Sequence, residues 1–218
     1  NHLFSALKYS KINVVFDIGA NTGQFATELR SVGFKHKIIS FEPLSSAYPI
    51  ILEKTSKDKK WYLHPQSAIG DKDSTIDINI SGNSVSSSIL PMLDTHSSAA
   101  EDSAYIGIEK VCLTRLDSIS DQYLDKNSNL FIKIDTQGYE WQVLDGASKT
   151  IKKARGILIE LSLLPLYDGQ KLWQEIIKRL EDEGFVLWTL QQGFTDSRTG
   201  RSLQLDAIFL RKNNDLHL

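Results

Sequence analysis

Apolar residues in this chain come in short, nearly continuous runs. Each is closed by a polar or acidic residue and followed by a stretch with helical spacing. Val14, Val15 and Phe16 form the first run, which ends at Asp17. Beyond the turn Gly19-Ala20-Asn21-Thr22-Gly23, the residues Phe25, Leu29 and Val32 recur at helical spacing until Gly33 stops them. Ile38, Ile39 and Phe41 predict a second strand ending at Glu42-Pro43, then a helix over 45–57 with Pro49 near its start or kinking it. Residues 61–69 read as a third strand, closed by Gly70-Asp71, and Thr75, Ile76, Ile78 and Ile80 as an extra one. Residues 83–103 are rich in Ser, Asp and Ala without periodicity, which is the pattern of a mobile lid or a disordered surface loop.

The alternation then resumes. A strand is expected over 111–113, a short helix over 116–124 started by Asp117 or Ser118, and a buried strand over 130–134 ending at Asp135. A helix over 141–151, a strand over 157–161 and an amphipathic helix over 172–180 closed at Gly184 follow. Strands over 186–190 and 205–210 finish the chain as antiparallel neighbours. Apolar strands alternating with helices imply a parallel sheet covered on both faces. The expected architecture is a single α/β domain over 1–218, doubly wound, with an insertion around 82–105 serving as lid or substrate segment. No repeat or linker divides the 218 residues.

Composition narrows the partners. The hydrophobic share of 41% is enough for a sizeable core, and a net charge of −2 offers no basic excess for nucleic acid. No apolar run reaches the roughly 20 residues of a membrane-spanning helix. The sequence opens on Asn1 rather than a methionine, which fits a natural N-terminus lying further upstream, and no signal pattern is visible within these residues. Cys112, the single cysteine, excludes an internal disulfide or a Cys-rich zinc site. Its neighbours Val111 and Leu113 suggest a buried thiol, and a reducing, cytoplasmic setting fits. The histidines, His2, His36, His64, His96 and His217, are scattered and show no zinc spacing.

The turn at 19–23 sits between a strand and a helix, where a backbone can approach a ligand. A dinucleotide fingerprint needs glycine at 21 and glycine or alanine at 24, but Asn21 and Gln24 stand there, and no Gly-Lys-Ser/Thr run exists. The pattern is instead Asp-x-Gly-x-x-x-Gly. An acid at that strand end suits a cofactor without phosphates, such as S-adenosyl-L-methionine, whose ammonium and sulfonium Asp17 can favour. Glu42 lies 19 positions after Gly23, near the spacing at which an acid accepts two ribose hydroxyls. Taken singly, Asp17 also reads as a turn or cap residue and Glu42 as a solvated strand end.

The ordered motifs extend further: Phe16-Asp17-Ile18-Gly19, Phe41-Glu42-Pro43, Ser67-Ala68-Ile69-Gly70-Asp71, Thr114-Arg115-Leu116-Asp117, Lys133-Ile134-Asp135-Thr136-Gln137-Gly138-Tyr139-Glu140 and Val143-Leu144-Asp145-Gly146-Ala147. Over residues 12–211 the chain resembles the FkbM family of S-adenosyl-L-methionine-dependent methyltransferases. The resemblance implies a class I, Rossmann-like fold with a mostly parallel seven-stranded sheet and a C-terminal antiparallel hairpin. It also implies methyl transfer to oxygen, to a sugar hydroxyl of a glycan or glycoconjugate or to a polyketide-type natural product, with S-adenosyl-L-homocysteine as product. Family members commonly carry Glu where this chain has Gln137, which reduces that position to hydrogen bonding.

In open α/β sheets ligands sit beyond the carboxyl ends of the strands. The expected cofactor set is Asp17, Gly19, Asn21, Gly23, Glu42, Pro43, Ser67, Ala68 and Asp135, with Ser67 and Ala68 on the adenine edge. Asp135 alternatively reads as a helix cap. Asp135, Lys133 and Glu160 are the candidates for catalysis, with Glu140 nearby. Lys133 and Asp135 lie two apart on one side of a strand, and Lys133 also reads as the partner of a neighbouring acid. A divalent metal on Asp135 is conceivable but not expected. Tyr167 reads as a sugar-stacking or a packing ring, and His96 as a solvated loop residue or one that reaches substrate. Asp206 is a charge inside an apolar strand, facing the site or a cation. Acceptor specificity is assigned to 83–103 and 165–170, with the serine-rich run 84–88 as surface loop or lid. Two competing readings are a nicotinamide-dependent oxidoreductase, suggested by the strand–glycine-loop–helix–acid layout, and a cofactor-binding module without catalysis, suggested by Gln137.

Overall fold

The computed structural model describes residues 2–83 and 85–212. Asn1, Ser84 of the serine-rich run, and His217 lie outside them. In chain order the elements are α1 His2–Tyr9, β1 Val14–Ile18, α2 Gln24–Ser31, β2 Lys37–Phe41, α3 Tyr48–Thr55, β3 Trp61–Leu63, β4 Ala68–Ile69 and β5 Ser74–Ser81. They continue with α4 Asp94–Ser97, β6 Tyr105–Thr114, α5 Leu116–Ile119, β7 Leu130–Ile134, α6 Glu140–Asp145, α7 Ser148–Lys153, β8 Ala154–Ser162, α8 Trp173–Asp182, β9 Phe185–Gln192 and β10 Gln204–Arg211.

Seven strands form the main sheet in the order β3-β2-β1-β7-β8-β10-β9. From β3 to β8 all pairs are parallel, and β10 runs antiparallel to both β8 and β9. This is the doubly wound sheet that the family resemblance implied, with β10 inserted between β8 and the edge strand β9. The strict alternation of side chains divides the apolar runs between two cores. Val14 and Phe16 join Ile132, Val143, Leu144, Ile176 and Leu180 on the face covered by α6, α7 and α8. Val15 joins Ile38, Phe131, Leu158 and Ile208 on the other face, against Leu3 and Leu7 of α1 and Ala26 and Leu29 of α2. That second face turns polar at its carboxyl end, where Ser40, Asp17 and Lys133 stand side by side in register.

Several elements differ from the sequence expectation for identifiable reasons. The strand expected over 61–69 is two: β3 belongs to the main sheet and β4 to a three-stranded sheet ordered β4-β6-β5, separated at Pro65, which has no N–H to continue a ladder. The helix expected from 45 begins at Tyr48, with Pro49 in its first turn, where the missing N–H costs nothing. The helix expected over 141–151 is broken at Gly146, whose Cα packs so closely on Gly70 that an added Cβ would meet the Gly70 carbonyl oxygen at 1.7 Å. Asp117 does not start α5. Its carboxylate accepts the Lys149 and Thr150 amides and caps α7 instead. Cys112 is exposed, because alternation along β6 turns it away from buried Val111 and Leu113. Within 83–103, Ser88 bridges Asn79, Met92 bridges Tyr167 and a helical turn forms at α4. No described helix is long and apolar enough to cross a membrane.

Candidate functional site

A cavity of about 600 Å³ opens at the carboxyl ends of the main-sheet strands. One end is built by the glycine turn and the tip of β2. Gly19 and Ala20 donate their amides to the Phe41 carbonyl, which folds the turn against β2. Gly19 has φ +74°, and a Cβ on it would come within 1.8 Å of the Asp135 carbonyl oxygen, so only glycine fits between the tips of β1 and β7. Gly23, at φ +81°, has Trp61 against it and opens α2. Glu42 is locked by main chain: one carboxylate oxygen accepts the Asn21 amide at 2.7 Å and the other the Leu44 amide at 2.9 Å. It lines the cavity while only 3% exposed. Burial drives its pKa up to about 7, against the pull of those two amides.

Beneath the turn lies a buried polar chain. Trp61 donates its indole N–H to the Ser40 hydroxyl, which donates to Asp17. Lys133 stands 3.4 Å from Asp17 and 3.3 Å from Asp135, and gives a 2.8 Å hydrogen bond to the Gly19 carbonyl. Burial opposes the Lys133 ammonium, but Asp135 and Asp17 outweigh it and raise its pKa. Burial raises the Asp17 pKa, and Lys133 and Ser40 act against it. Held as a cation between two carboxylates, Lys133 has no lone pair with which to accept a proton. Its geometry is that of a tie between the glycine turn and β7.

The other end of the cavity is acidic. Asp135 begins the loop after β7, and its side chain is 38% exposed. Gln137, at φ +52°, donates its amide to Asp135 at 2.8 Å and to Glu160 at 3.1 Å, and accepts the Tyr167 hydroxyl at 3.0 Å. Glu160 also accepts the Gln204 amide at 2.7 Å. Its burial, with the nearby carboxylates of Asp135, Glu140 and Asp206, holds its pKa well above the usual carboxylate range. Glu140 turns inward and accepts the Thr136 and Gly138 amides, shaping the loop from within. Asp206 stands opposite Glu160 in the β8–β10 register and lines the cavity. Burial, with Asp135 adding, pushes its pKa to about 6, opposed by Lys133.

Residues 17–187 match the sequence profile of the methyltransferase FkbM domain, which spans more than half of the chain. The chain belongs to the FkbM methyltransferase family. No curated protein matches it in sequence. Among solved structures it is similar to the FkbM methyltransferase from Methylobacillus flagellatus KT, with TM-score 0.52 and 14% identity over 90% of this chain and 43% of that one. It therefore spans less than half the length of that protein. It is also similar to magnesium protoporphyrin IX methyltransferase from Synechocystis PCC 6803, with TM-score 0.50 and 11% identity over 97% of this chain and 80% of that one. A putative RNA methyltransferase from Pyrococcus horikoshii gives TM-score 0.50 and 13% identity over 97% and 81%. At these identities the neighbours speak for the fold.

Not every candidate residue of this FkbM-family chain reaches the cavity. Gly19, Asn21, Glu42, Pro43, Ser67, Ala68, Lys133 and Asp135 line it together. Asp17, Gly23 and Glu160 do not: Asp17 is fully buried under the turn, Gly23 faces Trp61, and Glu160 is held behind Gln137. The segment 165–170, expected to shape specificity, is absent from the lining, and Tyr167 is fully buried, so it packs rather than stacks on a sugar. His96 is neither solvated nor at the cavity. It is 2% exposed, between the rings of Tyr167 and Phe194. From 83–103 it is Val85, Ser87 and Ile89 that reach the cavity. Among the described residues no three His, Cys, Asp or Glu side chains are grouped to hold a metal. Sequence reasoning left Asp206 unassigned and missed Gln191, which lies beside it on β9. The signal for Asp206 was a lone charge in the apolar run Leu205-Asp206-Ala207-Ile208, the same signal that marked Lys133.

Proposed function

We propose that this chain is an S-adenosyl-L-methionine-dependent O-methyltransferase acting on a hydroxyl of a small molecule, a sugar of a glycan or glycoconjugate. The observation that carries the cofactor assignment is the clasp of Glu42 by the Asn21 and Leu44 amides, which aims a rigid carboxylate into the cavity beside the glycine turn. A carboxylate with both oxygens fixed suits two ribose hydroxyls, each charge-assisted bond contributing roughly 1.5–3 kcal/mol. It repels a pyrophosphate. The acids on the cavity wall and behind it exceed the single paired lysine, which favours a cationic cofactor. The Synechocystis neighbour holds S-adenosyl-L-methionine in a sheet of this kind.

In this reading Glu42 takes the ribose, Ser67 and Ala68 the adenine edge, and Gly19 and Asn21 the backbone side of the cofactor. Asp135 receives the methionine ammonium. Val85, Ser87 and Ile89 of the insertion cover the nucleoside end. The cofactor, when bound, supplies an activated methyl group. The protein aligns the acceptor oxygen and excludes water, and alignment alone is worth up to about 7–11 kcal/mol. Gln24, Phe25, Gln191 and Asp206 give the cavity lining a mixed polar and aromatic character that suits a polyhydroxylated acceptor. Methyl-labelled S-adenosyl-L-methionine incubated with the protein and a panel of saccharides should put label on a hydroxyl oxygen. Tight binding of NAD with none of S-adenosyl-L-methionine would refute the reading.

A further inference from the structure

We infer that Asp206, on the C-terminal antiparallel strand, is the base that takes the proton of the acceptor hydroxyl. The inference rests on the methyl-transfer reading above and deepens it. The other acids at the strand ends are already committed. Asp17 is tied to Lys133 and Ser40, Glu42 to two backbone amides, and Asp135 to Gln137 and Lys133. Glu160 is shielded by Gln137 and Gln204, and Glu140 is turned into its own loop. Among the described acids at the strand ends, Asp206 is the one that lines the cavity and accepts no protein hydrogen bond of its own.

Position supports the same role. Strands in a sheet lie about 4.8 Å apart. Glu42 and Asp135 directly follow β2 and β7, two spacings apart, so a nucleoside held by Glu42 has its amino-acid tail at Asp135. Asp206, on β10, is two spacings further on, with β8 between. An acceptor seated in the cavity beyond the amino-acid tail would meet it there. Register places Asp206 opposite both Glu160 and Gln191, and opposed residues point to one face of a sheet. In the transfer the acceptor oxygen forms its bond to the methyl carbon. The carbon–sulfur bond breaks with its electron pair going to sulfur, and the O–H proton goes to the Asp206 carboxylate. The groups around Asp206 are Glu160 from β8 and Asp135 and Lys133 from β7, with Glu28 of α2 and His2 of α1 on the same cavity wall. Burial, with Asp135 adding and Lys133 opposing, sets its pKa near the range a general base needs.

A base that serves the methyl must lie close to it, and this can be read without knowing the acceptor. Sinefungin carries an amine-bearing carbon where the cofactor has its methyl-bearing sulfur, while S-adenosyl-L-homocysteine has no charge there. Calorimetry at pH 7.5 should show sinefungin bound at least about tenfold more tightly than S-adenosyl-L-homocysteine, because a nearby carboxylate attracts the amine. Asp206→Asn should remove that preference and leave S-adenosyl-L-homocysteine affinity within about threefold. In the wild-type protein the preference should also shrink as pH falls through about 6, which needs no variant to fold. If Asp206→Asn keeps the preference, or Asp135→Asn alone removes it, the assignment of the base is wrong although the cofactor reading stands. If the wild-type protein binds neither ligand, the methyl-transfer reading itself falls.

Discussion

The two ends of the cavity are made in opposite ways. At the glycine turn, main chain does the work: four amides and one carbonyl fix Gly19, Ala20 and Glu42, and the side chains involved are few. At the far end, side chains from β7, β8 and β10 hold one another through amides and carboxylates, with Gln137 at the junction. The first end depends on local sequence, because a turn and the next strand tip suffice to build it. The second depends on strands that are distant in the chain meeting in register. A change at the first end should therefore act through backbone fit, and one at the second through charge balance.

The largest effect is expected at Gly19. Gly19→Ala forces a Cβ into the Asp135 carbonyl at a backbone angle that L residues avoid. We expect a loss of more than about 5 kcal/mol in urea unfolding together with loss of cofactor binding. A fully stable variant would show that the two strand tips are not packed as described. Next is Lys133→Met, which leaves Asp17 buried without its cation. Removing one partner of such a pair costs about 3–5 kcal/mol. If the variant is as stable as wild type below about pH 4 and falls behind only as pH rises, the loss is electrostatic.

Glu42→Gln should weaken S-adenosyl-L-methionine binding about 10- to 100-fold by calorimetry, since one charge-assisted acceptor becomes a donor. The same variant carries a pH signature. The Glu42 pKa is raised in the folded state from 4.5 to about 7, so the folded chain holds a proton that the unfolded chain releases. Its contribution to stability is favourable below about pH 4.5, falls as pH rises, and is flat above about 7. Ligand-free Glu42→Gln should therefore gain on wild type across that window, and an unchanged difference would contradict the burial of this acid. The smallest effect is expected at Glu160→Gln. A carboxyl held well above its usual range is replaced by a neutral amide of similar shape, and stability should stay within about 1 kcal/mol with cofactor binding unchanged. A tenfold loss of binding would move Glu160 from support to the cavity itself.

The same contrast explains what could be read from the sequence. The β1–turn–β2 unit was legible down to Glu42 because apolar runs, glycines and the strand-end acid lie within thirty positions of one another. Hairpin β9–β10 was legible from its two runs, but its insertion order was not, since nothing local says that β10 pairs with β8. Asp17 was assigned to the cofactor from its charge and its place at a strand end before the glycine turn. Its orientation depends on alternation within β1, which turns it under the sheet toward Lys133. His96 and Tyr167 lie in segments without periodicity, and the rings that pack on His96, Tyr167 and Phe194, are 71 and 98 positions away from it in the chain.

The proposed cofactor sits against the main chain that clasps Glu42. Amide resonances of Asn21 and Leu44 report on it directly, because both donate to the carboxylate that would meet the ribose. Adding S-adenosyl-L-homocysteine to labelled protein should shift these two amides among the most strongly of all. Shifts confined to residues away from the glycine turn, with Asn21 and Leu44 unmoved at saturation, would contradict that seating.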